Sequence, residues 1–69
     1  MTVEIYCHFL GKTDKAIKIH DGTIEAWIPI SQIFGWSGCG DFNDLTDSDA
    51  GLYLEIEIPE WLADQKELL

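Results

Sequence analysis

The chain of 69 residues contains no arginine, and four lysines and two histidines are its only basic residues. Thirteen acidic residues bring the formal net charge to −9 at pH 7. Proteins that bind DNA, RNA or anionic lipid contact the phosphates with clustered lysines and arginines. The scarcity of basic residues therefore argues against direct binding of nucleic acid and against a membrane partner.

Cysteine is also scarce, and Cys7 and Cys39 are too few for a disulfide framework. A single bridge between them is an alternative, but we expect two reduced thiols. Residues 1–4 lack the basic segment and the apolar run of a signal peptide. No stretch approaches the ~20 apolar residues of a membrane span. We therefore expect a cytoplasmic protein.

The short length predicts one domain, residues 1–69, with a thin margin of stability. Hydrophobic residues make up 46% of the chain and include three tryptophans, so one core can form without disulfides or a metal. A core of this size leaves little room for an enclosed active-site cavity.

Four segments alternate between apolar and polar residues, as strands do. They predict strands at residues 2–10, 15–20, 23–30 and 52–58. Asp21-Gly22 predicts a two-residue type I′ turn between the second and third strands, because such a turn needs positive φ at both central residues. The side chains predicted to form the core are Val3, Ile5, Ile17, Ile19, Ile24, Ile28, Leu54, Ile56 and Ile58.

The region between the third and fourth strands predicts less regular structure. Pro29 lacks an N–H donor, so the third strand ends or lies on an edge there. Ser31 is predicted to cap a short helical turn. Residues 35–40 are predicted to form a loop, and the acidic residues 41–51 are predicted to form turns, or a short helical turn begun by Asp44 or Thr46.

Pro59 stops the last strand and suits the first turn of a helix, which we predict over residues 60–69. So short a helix needs tertiary packing, and Trp61 and Leu62 are placed on its buried stripe. Together these elements predict a mainly β (α+β) fold. It is a small, strongly bent antiparallel sheet, or an SH3- or OB-like barrel, of four to five strands with a short C-terminal helix.

The negative charge is concentrated in the second part of the chain. Residues 1–40 hold four acids and three lysines, whereas residues 41–69 hold nine acids and one lysine. Such crowding destabilises the compact state, so we interpret it as a surface whose carboxylates occupy the lysines and arginines with which a partner binds phosphates. An ordinary solvated face is the alternative. The predicted partner-binding residues are Asp41, Asp44, Asp47, Asp49, Glu55, Glu57, Trp36 and Tyr53.

Trp36 and Tyr53 belong to this set as apolar anchors, because Trp and Tyr dominate interface hot spots. Trp36 lies in a glycine-rich segment, and Tyr53 lies on the outer face of its strand. Trp27 and Trp61 are expected to form a second small core instead.

Metal ligands are not predicted. An EF-hand loop that starts at Asp44 has Glu55 at its twelfth position, but Asp49 stands where the loop needs glycine. Zinc ligand types occur as Cys7, His8, His20 and Cys39, yet Cys7 and His8 are adjacent in a strand and point to opposite faces. We predict neither a metal nor another cofactor.

Catalytic residues are not predicted either. Ser37 does not lie in a G-x-S-x-G elbow. Glu55 and Glu57 lie on an exposed strand face, where no apolar pocket would raise a pKa. We therefore predict that the protein is not an enzyme.

Two segments carry a resemblance. WIPIS at residues 27–31 and IPEWL at residues 58–62 resemble the W-x-P-x-S and I-P-x-W-L segments of small proteins encoded by phages and prophages. Ile30 stands where such proteins are expected to have a basic residue. As a short, acidic, single-domain chain, the protein is also similar to the anti-CRISPR class, which shares a function but no motif, and some of whose members occupy the DNA-binding surface of a CRISPR effector complex.

The resemblance implies a non-enzymatic, phage-encoded inhibitor in the cytoplasm of an infected or lysogenic bacterial host. Its partner would be a basic nucleic-acid-binding protein or complex, with a CRISPR effector subunit as the first candidate, and we expect a monomer rather than a dimer. The alternative is a phage accessory or assembly module that binds another protein through exposed aromatic residues.

Overall fold

A computed structural model describes residues 1–68 of the chain. Its strands form one antiparallel sheet in the order β3-β2-β1-β5-β4, which does not close on itself. The mainly β fold with a short C-terminal helix is thus confirmed, in the form of an open sheet rather than a barrel. The elements are β1 (Thr2–Lys12), β2 (Ala16–His20), β3 (Glu25–Pro29), β4 (Gly35–Ser37), β5 (Tyr53–Pro59) and α1 (Glu60–Gln65).

One face of the sheet is buried, because apolar side chains alternate along every long strand. Helix α1 and the loop before β5 cover this face. The helix packs Leu62 and Ala63 into the core cluster, and the loop packs Phe42 and Leu45 into it. The predicted core is confirmed, except that Val3 and Ile24 are only partly buried. The sheet contributes Ile5, Cys7, Phe9, Ile17, Ile19, Ala26, Ile28, Leu54, Ile56 and Ile58.

The structure contains a strand, β4, in residues predicted to be a loop. β4 pairs with β5, with Trp36 opposite Ile56. Its three residues are too few to show an alternating pattern, and glycine is a poor strand former. Gly38 ends it with a φ of 105°, and a Cβ there would collide with the backbone oxygen of Tyr53. The chain therefore turns away from the sheet at this point.

The β2–β3 turn differs from the predicted type I′ turn at Asp21-Gly22. The Asp21 N–H donates to the Ile24 carbonyl at 3.2 Å, so the turn is centred on Gly22 and Thr23, one residue later. Gly22 has a φ of 103° but Thr23 does not have a positive φ. The Asp21 carboxylate accepts from the N–H groups of Thr23 and Ile24, both at 2.8 Å. This side-chain bonding selects the later turn.

Two smaller predictions were wrong. Ser31 lies inside a 3₁₀ turn, Ile30–Gln32, and does not cap it. The helix ends at Gln65 rather than at residue 69, and Leu69 lies outside the described residues. No helix within residues 1–68 has the length and apolar character needed to cross a membrane.

The second small core predicted for two tryptophans is absent. Trp61 is 60% exposed and Trp27 is 45% exposed. Trp61 lies on the outer side of α1, because Leu62 and Ala63 of the same turn face the sheet. Trp27 lies on the face of the sheet that no described helix or loop covers.

Candidate functional site

The side of the sheet opposite the core is uncovered, and we call it the open face. Alternation along β1, β2, β3 and β5 places polar and aromatic side chains there. No described helix or loop packs on this face, so its side chains are open to a partner. Its side chains are Glu4, Tyr6, His8, Lys18, His20, Glu25, Trp27, Tyr53, Glu55 and Glu57.

The pairing of β1 with β5 brings three glutamates together. Glu4 is opposite Glu57, and Tyr6 is opposite Glu55. Side chains directly opposite each other on neighbouring strands have Cβ atoms about 5 Å apart, and diagonal neighbours are within reach of long side chains. We call Glu4, Glu55 and Glu57 the glutamate cluster.

The close approach of the glutamates affects the pKa of Glu55. A side-chain hydrogen bond with Glu4 raises the pKa of Glu55 above its ordinary value, and desolvation and the charge of Glu4 raise it further. The negative charges of Glu55 and Glu4 also raise the pKa of Tyr6. Like charges that are not neutralised by a cation disfavour the ionised form in this way. The cluster thus holds negative charge that nothing in the described chain neutralises.

Aromatic rings lie next to the glutamate cluster. The rings of Tyr6 and Tyr53 are stacked with centroids 6.4 Å apart and planes inclined by 27°. His8 packs edge-on against Tyr53 at 5.4 Å. Tyr6 and Tyr53 are 56% and 53% exposed. About half of each side chain is therefore accessible to a partner.

The glutamate cluster is accessible from the β4 edge of the sheet. A depression of about 150 Å³ there is lined by all three glutamates, by Gly35, Trp36 and Ser37 of β4, and by Ile56. A Cβ at Gly35 would lie 3.1 Å from a carboxylate oxygen of Glu57, so glycine leaves this carboxylate free. Glu57 is further oriented by the Thr2 hydroxyl, which donates to it at 2.5 Å.

The four predicted aspartates lie elsewhere. Asp41 accepts from the Asn43 N–H at 2.9 Å, and Asp49 accepts from the Thr46 N–H at 2.8 Å, so both cap 3₁₀ turns. Asp44 and Asp47, in the same turns, are exposed. We call residues 41–49 the aspartate loop. Because this loop supplies Phe42 and Leu45 to the core, it covers the buried face of the sheet and not the open face.

Trp36 also lies on the core side, since it is paired with the buried Ile56. Its ring packs on Phe42 with centroids 4.7 Å apart, and its indole N–H donates to the Gly40 carbonyl at 2.9 Å. These contacts hold the ring at the edge of the aspartate loop while part of it is exposed. The Trp36 ring is therefore held by the aspartate loop, although Trp36 also lines the depression beside the glutamate cluster.

The set of residues predicted from the sequence thus divides between two surfaces. Glu55, Glu57 and Tyr53 lie on the open face, whereas the four aspartates and Trp36 lie on the opposite side. Glu4 and Tyr6 belong with the first group and were missed. Alternation had placed both on the outer face of their strand, but the sequence does not reveal that β1 pairs with β5.

The other half of the open face contains its own cation. Lys18 Nζ lies 3.4 Å from Glu25 Oε1 and 6.0 Å from the centroid of the Trp27 ring. This is the only ion pair in the part of the chain that the structure describes. Carboxylate, cation and aromatic ring are thus already assembled on β2 and β3.

The cysteines are both free thiols. Burial raises the pKa of Cys7 to about 12, and its thiol is a core side chain. Burial also raises the pKa of Cys39. Within residues 1–68, no three side chains of histidine, cysteine, aspartate or glutamate are grouped so that they could hold a metal ion.

Comparison of the chain with protein-family models, curated proteins and solved structures gives no match.

Proposed function

We propose that the protein is a non-enzymatic, phage-encoded inhibitor that binds a basic nucleic-acid-binding bacterial protein, with a CRISPR effector complex as the first candidate. The inhibitor presents carboxylates where the target normally holds phosphates. Its target class follows from the resemblance of its WIPIS and IPEWL segments to small phage and prophage proteins, and from its similarity in size and charge to the anti-CRISPR class.

One observation carries the proposal, namely that the acidic side chains of the described residues are exposed or partly exposed and almost all lack an ion-pair partner. Nine acids stand against one lysine in residues 41–69, and the ion pair of the described chain lies on β2 and β3, away from them. Self-repulsion of this kind destabilises the free protein. Contact with a lysine- or arginine-rich surface removes it.

The test is capture of a partner from bacterial lysate on the immobilised protein, at about 0.1 M and about 0.5 M salt. We expect the captured protein to be a nucleic-acid-binding protein, to be lost at the higher salt and to be displaced by DNA or RNA. Each result follows from carboxylates competing with phosphates for the same cations. Capture that resists both salt and nucleic acid would contradict the proposal.

A charge-removed variant provides the matched control. This variant keeps the side-chain shapes and removes seven charges. It changes Asp41, Asp44, Asp47 and Asp49 to Asn, and Glu4, Glu55 and Glu57 to Gln. We expect affinity for the partner to fall by at least about tenfold, or about 1.4 kcal/mol. Equal affinity in a variant that is still folded would show that the acids only solvate the surface.

The alternative function is a phage accessory or assembly module that binds another protein through aromatic residues. Trp61 and Phe34, which are 60% and 61% exposed, favour it. On this reading Trp61→Ala and Phe34→Ala abolish binding, and salt has little effect. Retention of binding by both variants would exclude it.

A further inference from the structure

We propose that the β1–β5 half of the open face, centred on Tyr6 and Tyr53, is the docking surface for an arginine-rich segment of the protein partner. This inference rests on the proposed function and adds to it the surface that is used and the side chain that is recognised. The occupant is a guanidinium that stacks on a tyrosine ring and pairs with the glutamates beside it.

The protein itself provides the pattern on the other half of the same face. There Lys18 lies against the Trp27 ring and the Glu25 carboxylate, at 6.0 Å and 3.4 Å. The β1–β5 half repeats the ring and the carboxylate in Tyr6 and Glu55, which are directly opposite each other. Among the described residues, the only basic side chain on this half of the open face is His8, which packs on Tyr53, and no glutamate there forms an ion pair. A partner's cation would complete the second arrangement as Lys18 completes the first.

The geometry of this half suits a planar cation. Tyr6 and Tyr53 present nearly parallel rings that are exposed over more than half their surface. Glu55 adjoins Tyr6, and Glu4 interacts with Glu55 through its side chain. A guanidinium can stack on a ring face and donate two parallel hydrogen bonds to a carboxylate at its edge. An ammonium group is a compact, strongly hydrated charge and makes only one of these contacts well.

The aspartate loop offers less to the same ligand. Asp41 and Asp49 already accept backbone hydrogen bonds that hold the 3₁₀ turns, and the Trp36 ring is packed on Phe42. Removing those acceptors from the turns would cost stability. Among the described residues, no backbone turn depends on a carboxylate of the glutamate cluster, and Glu57 accepts a hydrogen bond only from the Thr2 hydroxyl.

The first experiment maps binding on the intact protein with two peptide probes of equal charge, each of four arginine-glycine or four lysine-glycine repeats. Backbone NMR spectra are recorded during titration at about 0.15 M salt. We expect the largest shifts at Tyr6, Tyr53 and Glu55, and at least about threefold tighter binding of the arginine peptide. Shifts concentrated in residues 41–49, or spread evenly over the chain, would overturn the inference.

The second experiment compares two triple variants that remove the same charge. The first variant alters the open face by changing Glu4, Glu55 and Glu57 to Gln. The second variant alters exposed acids elsewhere by Asp44→Asn, Asp47→Asn and Glu60→Gln. The first variant is expected to lose about tenfold in affinity for the arginine peptide and the second less than about threefold. Equal losses would mean that only net charge matters.

Tyr53→Leu separates stacking from charge, because it keeps every carboxylate and removes a ring. We expect the preference for arginine over lysine to fall towards equality while binding of the lysine peptide changes little. An unchanged preference would contradict the role of the ring. Thermal unfolding of each variant checks that the sheet is intact.

The same variants distinguish failure of this inference from failure of the proposed function. If the partner is captured in a salt-sensitive way and only the aspartate-loop changes weaken it, the proposed function stands and the open-face inference fails. If arginine peptides bind the open face but neither set of changes affects the captured partner, the inference stands as an arginine-binding surface and the proposed function fails.

Discussion

The two halves of the open face share one sheet and one core, yet they differ in charge balance. On β2 and β3, Lys18 joins Glu25 and Trp27 in an arrangement that is complete within the chain. On the open face of β1 and β5, a pair of tyrosines adjoins three glutamates, and no described lysine forms an ion pair with them. The free protein gains from the first half and bears a repulsion in the second.

Because the protein is acidic almost everywhere, this difference between the halves indicates which surface to test for partner binding. Net charge alone favours the aspartate loop, which has the densest run of acids. Local geometry favours the β1–β5 half, where carboxylates and uncovered rings converge on ordered strands. Ordered strands hold their side chains in place before a partner arrives, so less conformational freedom is lost on binding.

Truncation of a core side chain should destabilise both halves, because both lie over one continuous core. Ile56 lies beneath the β1–β5 half and Ile17 beneath the other, and both are fully buried. We expect Ile56→Ala and Ile17→Ala each to cost about 2–5 kcal/mol, from lost burial and the cavity left behind. Denaturant unfolding measures this. A loss below about 1 kcal/mol at either site would contradict its place in the core.

A second substitution disturbs only the β4–β5 side of the molecule. Gly38→Ala forces a side chain into left-handed backbone and against the Tyr53 carbonyl, and we expect it to cost about 1–3 kcal/mol. Gly40→Ala is the control, since nothing lies within 4 Å of a Cβ there. Equal stability of the two variants in thermal unfolding would show that the turn adapts.

A third substitution makes the two halves alike. Lys18→Gln removes the cation of the β2–β3 half and should cost only about 0.2–1 kcal/mol, because the pair is exposed. The variant then has an unneutralised Glu25 beside Trp27. We expect the arginine peptide to quench Trp27 fluorescence more strongly in this variant than in the wild type. No difference in quenching would show that the ring and carboxylate alone do not attract the cation.

The change of folding stability with pH should be small, and its sign should differ between Asp21, next to the β2–β3 half, and Glu55, in the β1–β5 half. N–H groups of Ile24 and Thr23 donate to Asp21 and hold its pKa below the ordinary value. The stability that Asp21 contributes is present above its unfolded pKa and is lost as pH falls through the lowered folded pKa. The pKa of Glu55 is raised instead. Its contribution is most favourable at low pH and is lost as pH rises through the raised folded pKa.

Asp21→Asn and Glu55→Gln test this contrast, with denaturation midpoints measured from about pH 3 to about pH 7. Relative to the wild type, Asp21→Asn should become less stable as pH rises, whereas Glu55→Gln should become more stable. Differences of the same sign would contradict the assigned environments.

The sequence predicts most of the fold because its long strands alternate clearly. Leu54, Ile56 and Ile58 alternate with Tyr53, Glu55 and Glu57, and this is enough to assign both faces of β5. The sequence does not predict β4, because three residues are too few to show an alternating pattern. Its assignment as a strand depends on its pairing with β5. The turn at Gly22 and Thr23 was placed one residue early because the Asp21 side chain accepts two backbone N–H groups.

The candidate site was predicted in part. Exposure of Glu55, Glu57 and Tyr53 follows from the strand period, but their neighbours Glu4 and Tyr6 are about fifty residues away along the chain. Only the sheet order brings them together. Likewise, the acids of the aspartate loop look continuous with Glu55 in sequence, and the loop carries them to the opposite side because Phe42 and Leu45 enter the core.

The two edges of the sheet have a consequence for how any partner can attach. β3 ends at Pro29, which has no N–H to offer, and β4 is only three residues long before Gly38 turns the chain away. Short edges and proline oppose the addition of a further strand, whether from a partner or from an aggregating copy. These edges therefore restrict binding through main-chain hydrogen bonds, and a partner must contact the exposed side chains of the sheet instead.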